Sequence, residues 1–125
     1  MERKIFQELK HLGILDRLEE IPYLKINNPP SLPLHIEKLK ENRIVLAHYF
    51  EMNGDLIPDP DMEIEVDEIN RKARALSFQN QFIYQSVEKN PNPNLQNSLN
   101  LFLSEWLENI KNQGYKIKKE VANND

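Results

Sequence analysis

The stretch IVLAHYFEMNGDLIPDPDMEIEV, residues 44–66, decides the fold. Residues 44–51 are rich in β-formers and apolar on both faces, as a central strand is. Asn53-Gly54 follows, and both residues tolerate the positive φ of a tight hairpin turn. Pro58 and Pro60 are expected to interrupt pairing. MEIEVD then alternates with period two, placing Met62, Ile64 and Val66 inward and Glu63, Glu65 and Asp67 outward.

The same period extends on both sides. LHIEKLK, from Leu34, puts Leu34 and Ile36 on one face and His35 and Glu37 on the other, and residues 40–43 form a polar turn. Beyond a turn at 67–71, ARALSFQ (73–79) and FIYQSV (82–87) make a hairpin across Asn80-Gln81. The expectation is an antiparallel meander of about five strands over residues 34–88. Residues 21–33 hold Pro22, Pro29, Pro30 and Pro33, which disfavour helix; they read as an extended connector with a short edge strand at Tyr23–Ile26.

Both ends read as helical. Ile5, Leu9 and Leu12, with Phe6 beside them, form one apolar stripe over residues 2–12, and Gly13 supplies a left-handed stop. Asp16 is expected to cap a short second helix to about Glu20, with Leu15 and Leu18 inward. In NPNPN (90–94), Asn92 or Asn94 can cap and Pro93 suits a first turn. The following helix, 93–114, carries Leu95, Leu99, Phe102, Leu103, Trp106 and Ile110 on one face and closes at Gly114. Leu101 and Leu107 fall off that stripe, and either widen it or meet the N-terminal helices. Laid across the meander, six such side chains contribute on the order of 10 kcal/mol before entropy is subtracted. Residues 115–125 read as a polar tail whose last six residues are expected to be mobile. The fold class is therefore α+β, with residues 1–125 as a single domain.

Composition bounds the function. A chain of 125 residues, 39% hydrophobic and 29% charged, holds one modest core and is neither collagen-like nor wholly disordered. No run of 18 apolar residues offers a transmembrane helix, so no membrane partner is expected. The N-terminus lacks the apolar run of a secretory signal. The absence of cysteine removes disulfides, thiolate metal sites and cysteine nucleophiles, and fits a cytoplasmic protein. No phosphate-binding glycine loop, nucleophile elbow or zinc-protease motif occurs, and no cofactor is expected.

Charge is uneven. Residues 51–70 carry eight acids (Glu51, Asp55, Asp59, Asp61, Glu63, Glu65, Asp67 and Glu68) and no lysine or arginine. Subtracting those eight from the net charge of −4 leaves +4 for the rest of the chain. A solvated hairpin protecting a strand edge is the plainest account; a docking face for a basic partner and a divalent-cation site are the alternatives. One alternative draws His48, with Tyr49 beside it, together with Asp55, Asp59 and Asp61 into a metal-dependent or acid–base site. NGDLIPDPDME lacks the order of a calcium loop, however, and a histidine bonded to nearby backbone or carboxylate is the commoner arrangement. His11 and His35 stand alone, and Trp106 reads as core. Lys111, Lys116, Lys118 and Lys119 cluster near the C-terminus, where Tyr115 could stack on a base. A helix end also accounts for such lysines, and the pI of about 5.4 makes direct nucleic-acid binding unlikely.

HYFEMNGDLIPDPDM, followed by an alternating acidic strand, resembles the signature HY-x-E-x-NGDL-x-x-DP-x-M of an uncharacterised bacterial family of plasmids and integrative conjugative elements. FIYQSVEKNPNPNLQNSLNLFLSEWLENIKNQGY resembles the end of the same family, a strand followed by a helix with W-L-x-N-I-K-x-Q-G. The resemblance spans about residues 33–115. It implies a role in maintenance, transfer or evasion of host defence, and it carries no catalytic residue. The expected function is a small non-catalytic binding protein of a mobile element. Its acidic hairpin would engage a basic protein surface, with His48 and Tyr49 as secondary contacts. The sharpest form is an anti-CRISPR-type inhibitor of a nucleic-acid-guided nuclease, whose channel is basic. The alternatives are the metal-dependent enzyme of His48 and Asp55/Asp59/Asp61, and a nucleic-acid-binding regulator acting through Lys116, Lys118 and Lys119.

Overall fold

A computed structural model describes residues 1–119. The elements are α1 (Glu2–Leu12), α2 (Ile14–Glu20), β1 (Tyr23–Asn28), β2 (Ser31–Lys40), β3 (Arg43–Met52), β4 (Asp55–Asp67), β5 (Lys72–Ala75), β6 (Ser77–Gln79), β7 (Tyr84–Ser86) and α3 (Pro93–Gln113). The strands form one antiparallel sheet in the order β1-β2-β3-β4-β6-β7, with β5 also paired to β4. This is the meander expected, with more strands than five.

Two features raise the count. Pro22 and Pro29 lie just outside β1, so its amides stay available and Tyr23 pairs opposite Glu37. The edge strand expected at Tyr23–Ile26 runs on to Asn28, and β2 begins at Ser31, so most of the supposed connector is sheet. The strand read over 73–79 bends at Leu76, which is fully buried. Its N–H donates to the Glu63 carbonyl at 2.7 Å, and its carbonyl accepts from Val87 at 3.0 Å. The bend splits the run into β5 and β6.

Pro58 and Pro60 do not interrupt β4. Ala47 pairs with Asp61 and Tyr49 with Pro58, so β4 has one extra residue opposite His48. That bulge places Pro60 where the ladder is already broken, so its missing donor costs little. The β6–β7 connection is wider than Asn80-Gln81. It occupies residues 80–83, and the Asn80 side chain accepts from the N–H groups of Phe82 and Ile83, each at 2.9 Å.

One face of the sheet carries Leu34, Ile36, Leu46, Met62 and Ile64, joined in a single core with residues of all three helices. α1 packs on α3 and β5, and α2 on β2. Gly13, at φ 86°, ends α1 and starts α2 in one residue. Asp16 is therefore not the cap: it sits in the first turn of α2 and accepts from Lys10 Nζ at 3.1 Å. Asn92 caps α3, accepting from Asn94 N–H at 2.9 Å. Leu107 is buried and borders α1, whereas Phe102 remains 39% exposed at the rim, edge-on to Phe78.

The core continues past α3. Tyr115 and Ile117 are buried, so the polar tail begins later than residue 115. The expectation of mobility over the last six residues falls on residues 120–125, which lie outside the described residues.

Candidate functional site

β2 pairs with β3 as far as His35–Ala47, and β6 meets β4 at Asp61. Beyond those pairs, the strand pairing of residues 49–52 is with 55–58 alone, as a two-stranded arm. Asn53 (φ 54°) and Gly54 (φ 84°) close it, both left-handed as the asparagine-glycine pair predicts. Glu51 and Leu56 are cross-strand partners and share the face of Tyr49 and Pro58; Met52 and Asp55 pair on the other face. Leu56 is 66% exposed. The Gln81 side-chain amide donates to Met52 Sδ at 3.9 Å, which brings the 80–83 turn beside the tip. Phe82, in that turn, is 83% exposed. Glu51, Asp55 and Asp59 are exposed too, and none is ion-paired among the described residues.

The remaining acids are placed differently. Asp61 accepts from the Tyr49 hydroxyl at 2.8 Å. Glu63 faces Arg43 at 3.7 Å, and Glu65 accepts from Arg74 Nε at 2.9 Å. Arg43 is held in turn by Glu88, which bonds its guanidinium at 2.9 Å. Asp67 accepts from Asn70 N–H at 3.0 Å and Nδ2 at 2.8 Å, and these bonds hold its carboxyl below the usual range. Glu68 lies in the β4–β5 turn, lining a cavity with Glu41 and Asp67. β4 is 13 residues long. At ~3.3 Å per residue its ends are up to about 40 Å apart. Six of the eight acids are thus spread along β4, with Glu51 on β3 and Glu68 past the end of β4, and the eight do not form one patch. Only Glu51, Asp55 and Asp59 belong to the arm and its base.

His48 makes no hydrogen bond to those carboxylates among the described residues. Its Nδ1–H donates to the Pro33 carbonyl at 2.9 Å, and its ring packs against Trp106 and Tyr115, with centroids at 5.4 and 5.8 Å. Burial holds the imidazole below its ordinary pKa, with the Pro33 bond and Asp59 opposing. Among the described residues, no three His, Cys, Asp or Glu side chains group as a metal site requires.

A row of polar aromatics crosses the open face of the sheet. The Tyr23 hydroxyl bonds His35 Nδ1, the His35 ring meets Tyr49 edge-on at 5.0 Å, and Tyr49 donates to Asp61. His35 therefore does not stand alone. Burial, with Lys25 nearby, lowers its pKa and favours the neutral ring. Burial and Asp61 push the Tyr49 hydroxyl up, keeping it a donor. The only sequence signal for this row is alternation: His35, Tyr49 and Asp61 are outward residues of successive strands, but the register that aligns them is a tertiary fact.

The C-terminal lysines also differ from expectation. Tyr115 is buried, with its hydroxyl bonded to the Leu32 carbonyl, so it is no stacking platform. Lys119 lies 3.7 Å from Glu20. No helix among the described residues is long and apolar enough to cross a membrane.

Residues 4–116 match the family described as Domain of unknown function (DUF6908), and the chain belongs to it. No curated protein and no solved structure matches the chain.

Proposed function

We propose that this family member is a small non-catalytic binding protein that docks the β3–β4 arm onto a basic protein surface. One observation carries the proposal: Leu56 stands in water on the arm that bears Glu51 and Asp55, Phe82 is exposed in the turn that reaches the arm's tip through Gln81, and Glu51, Asp55 and Asp59 have no ion pair among the described residues. Apolar anchors supply burial at an interface, while the surrounding charge speeds encounter and selects the sign of the partner. The Tyr23–His35–Tyr49–Asp61 row extends the same face inward from Glu51 and Leu56.

The resemblance of the arm's sequence to proteins of plasmids and conjugative elements admits a partner in host defence alongside maintenance or transfer. Its most specific form is a nucleic-acid-guided nuclease, whose guide and target channel is positively charged. The arm would there compete with phosphate.

The test compares the intact chain with a Glu51→Gln/Asp55→Asn/Asp59→Asn variant as bait in host lysate. The intact chain is expected to capture a basic protein that raised salt releases, because exposed charges are screened. The variant is expected to lose that capture while keeping its unfolding midpoint. Equal capture by both baits, or capture indifferent to salt, would overturn the proposal.

A further inference from the structure

We propose that the cleft between the C-terminal ends of α1 and α3 is a binding site for a compact multivalent anion, of the class of a phosphorylated small molecule. This is independent of the arm. The cleft is open to solvent and has a volume of about 350 Å³, within the range of small-ligand sites. Among the described residues its polar lining is His11, Lys111, Lys116 and Lys118, with Leu12 beside them and no acid. That lining is notable in a chain whose acids outnumber its lysines and arginines by 20 to 16. None of the three lysines is ion-paired among the described residues.

The cations are held in place by the core. Tyr115 and Ile117 are buried while Lys116 and Lys118 are exposed, and both lysines line the cleft; Lys118 also borders the neighbouring hollow of Asp16 and Glu20. Arg17 Nη1 donates to the Ile117 carbonyl at 2.8 Å, and Tyr115 bonds the Leu32 carbonyl. The Lys118 stem lies against Gly13, where an added Cβ would come within 2.6 Å of Lys118 Cγ. Helix-end electrostatics account for His11 and Lys111, each in a last helical turn. They do not account for Lys116 and Lys118, which lie beyond any helix.

The surroundings select a compact ligand over a nucleic-acid strand. Glu8 and Glu108 line the adjoining small cavity. Glu8 is engaged by Ser104 Oγ at 3.1 Å and lies 4.0 Å from Lys4. A long phosphate backbone leaving the cleft on that side would run onto these acids. With Tyr115 buried, the cleft also lacks a free aromatic face for a base.

The experiment titrates the full chain with inorganic pyrophosphate at low ionic strength, following backbone amide NMR shifts and the melting temperature. Saturable shifts are expected at residues 11–12, 111 and 115–118, with a rise in melting temperature. A Lys116→Gln/Lys118→Gln variant should bind at least tenfold more weakly and melt normally without ligand. A Lys72→Gln/Lys89→Gln variant, altered elsewhere on the surface, should bind as the parent does. Absence of saturable shifts, equal loss in both variants, or affinity for single-stranded oligonucleotides that exceeds that for pyrophosphate and grows with length would each overturn the proposal.

Discussion

Replacing Ile117 by alanine tests how far the core extends and what orients the basic cleft. Ile117 is 1% exposed, four residues past the end of α3. Ile117→Ala removes three buried carbons, worth roughly 2.4 kcal/mol in transfer alone at about 0.8 each, and the cavity adds to this. The expected loss is about 3 kcal/mol, a large share of the 5–15 kcal/mol typical of a domain. With an m-value of ~1.5–2 kcal/mol/M, the urea midpoint should fall by roughly 1.5–2 M. Lys116→Ala, one residue away and exposed, is the matched control and should change stability by less than about 0.5 kcal/mol. Urea unfolding followed by Trp106 fluorescence measures both. Equal midpoints for the two variants would refute the alternation of residues 115–118, and with it the fixed placement of Lys116 and Lys118.

Two further outcomes follow from buried polar groups. Asn100 is buried on α3, and its Oδ1 accepts from the Ala75 N–H at 2.9 Å and from Gln96 at 3.0 Å; Asn100→Leu should cost about 1–3 kcal/mol by orphaning that strand amide, and faster hydrogen exchange at Ala75 would report it. His35 and His48 both have lowered pKa values, chiefly from burial, so the unfolded chain takes up protons before the folded one does. Their contribution is complete above ~6.5 and is lost as pH falls from there through the lowered folded values, at a slope of no more than about 1.4 kcal/mol per pH unit for each. Urea midpoints measured across that window should fall with acidity, and His48→Gln should flatten the trend; a midpoint indifferent to pH there would count against both assignments. Asp67 and Glu88, with lowered carboxyl values, act only in a separate window at more acidic pH.

Local patterns carried much of the architecture. Met62, Ile64 and Val66 are buried as their alternation requires, Gly13 and Gly114 adopt the left-handed conformation that ends a helix, and Asn92 caps α3. The misreadings arose where a local rule met a long-range partner. Pro58 and Pro60 are expected to interrupt pairing; the ladder does slip at 59–60, opposite His48, but Pro58 pairs with Tyr49 and β4 runs through both prolines. Asp16 resembled a cap, but Gly13 already turns the chain between the two helices. Tyr115 and Ile117 looked like part of a lysine-rich tail, because two apolar residues in extended chain carry too little periodicity to signal a core.

The candidate site divides along the same line. Composition revealed the run of acids from 51 to 68, and Asn53-Gly54 located its turn. Sequence proximity could not show that β4 spreads those acids over its whole length, or that Arg43, Arg74, Tyr49 and Asn70 engage four of them. Nor could it join His35 to Tyr23 and Tyr49, or Lys118 to Gly13, since each pair meets only through strand register or packing. Backbone preference and hydrophobic period act over a few residues and are written along the chain. Which charges stay free, and which groups share a face or a cleft, depends on contacts between distant segments, and those exist only once the core has brought the segments together.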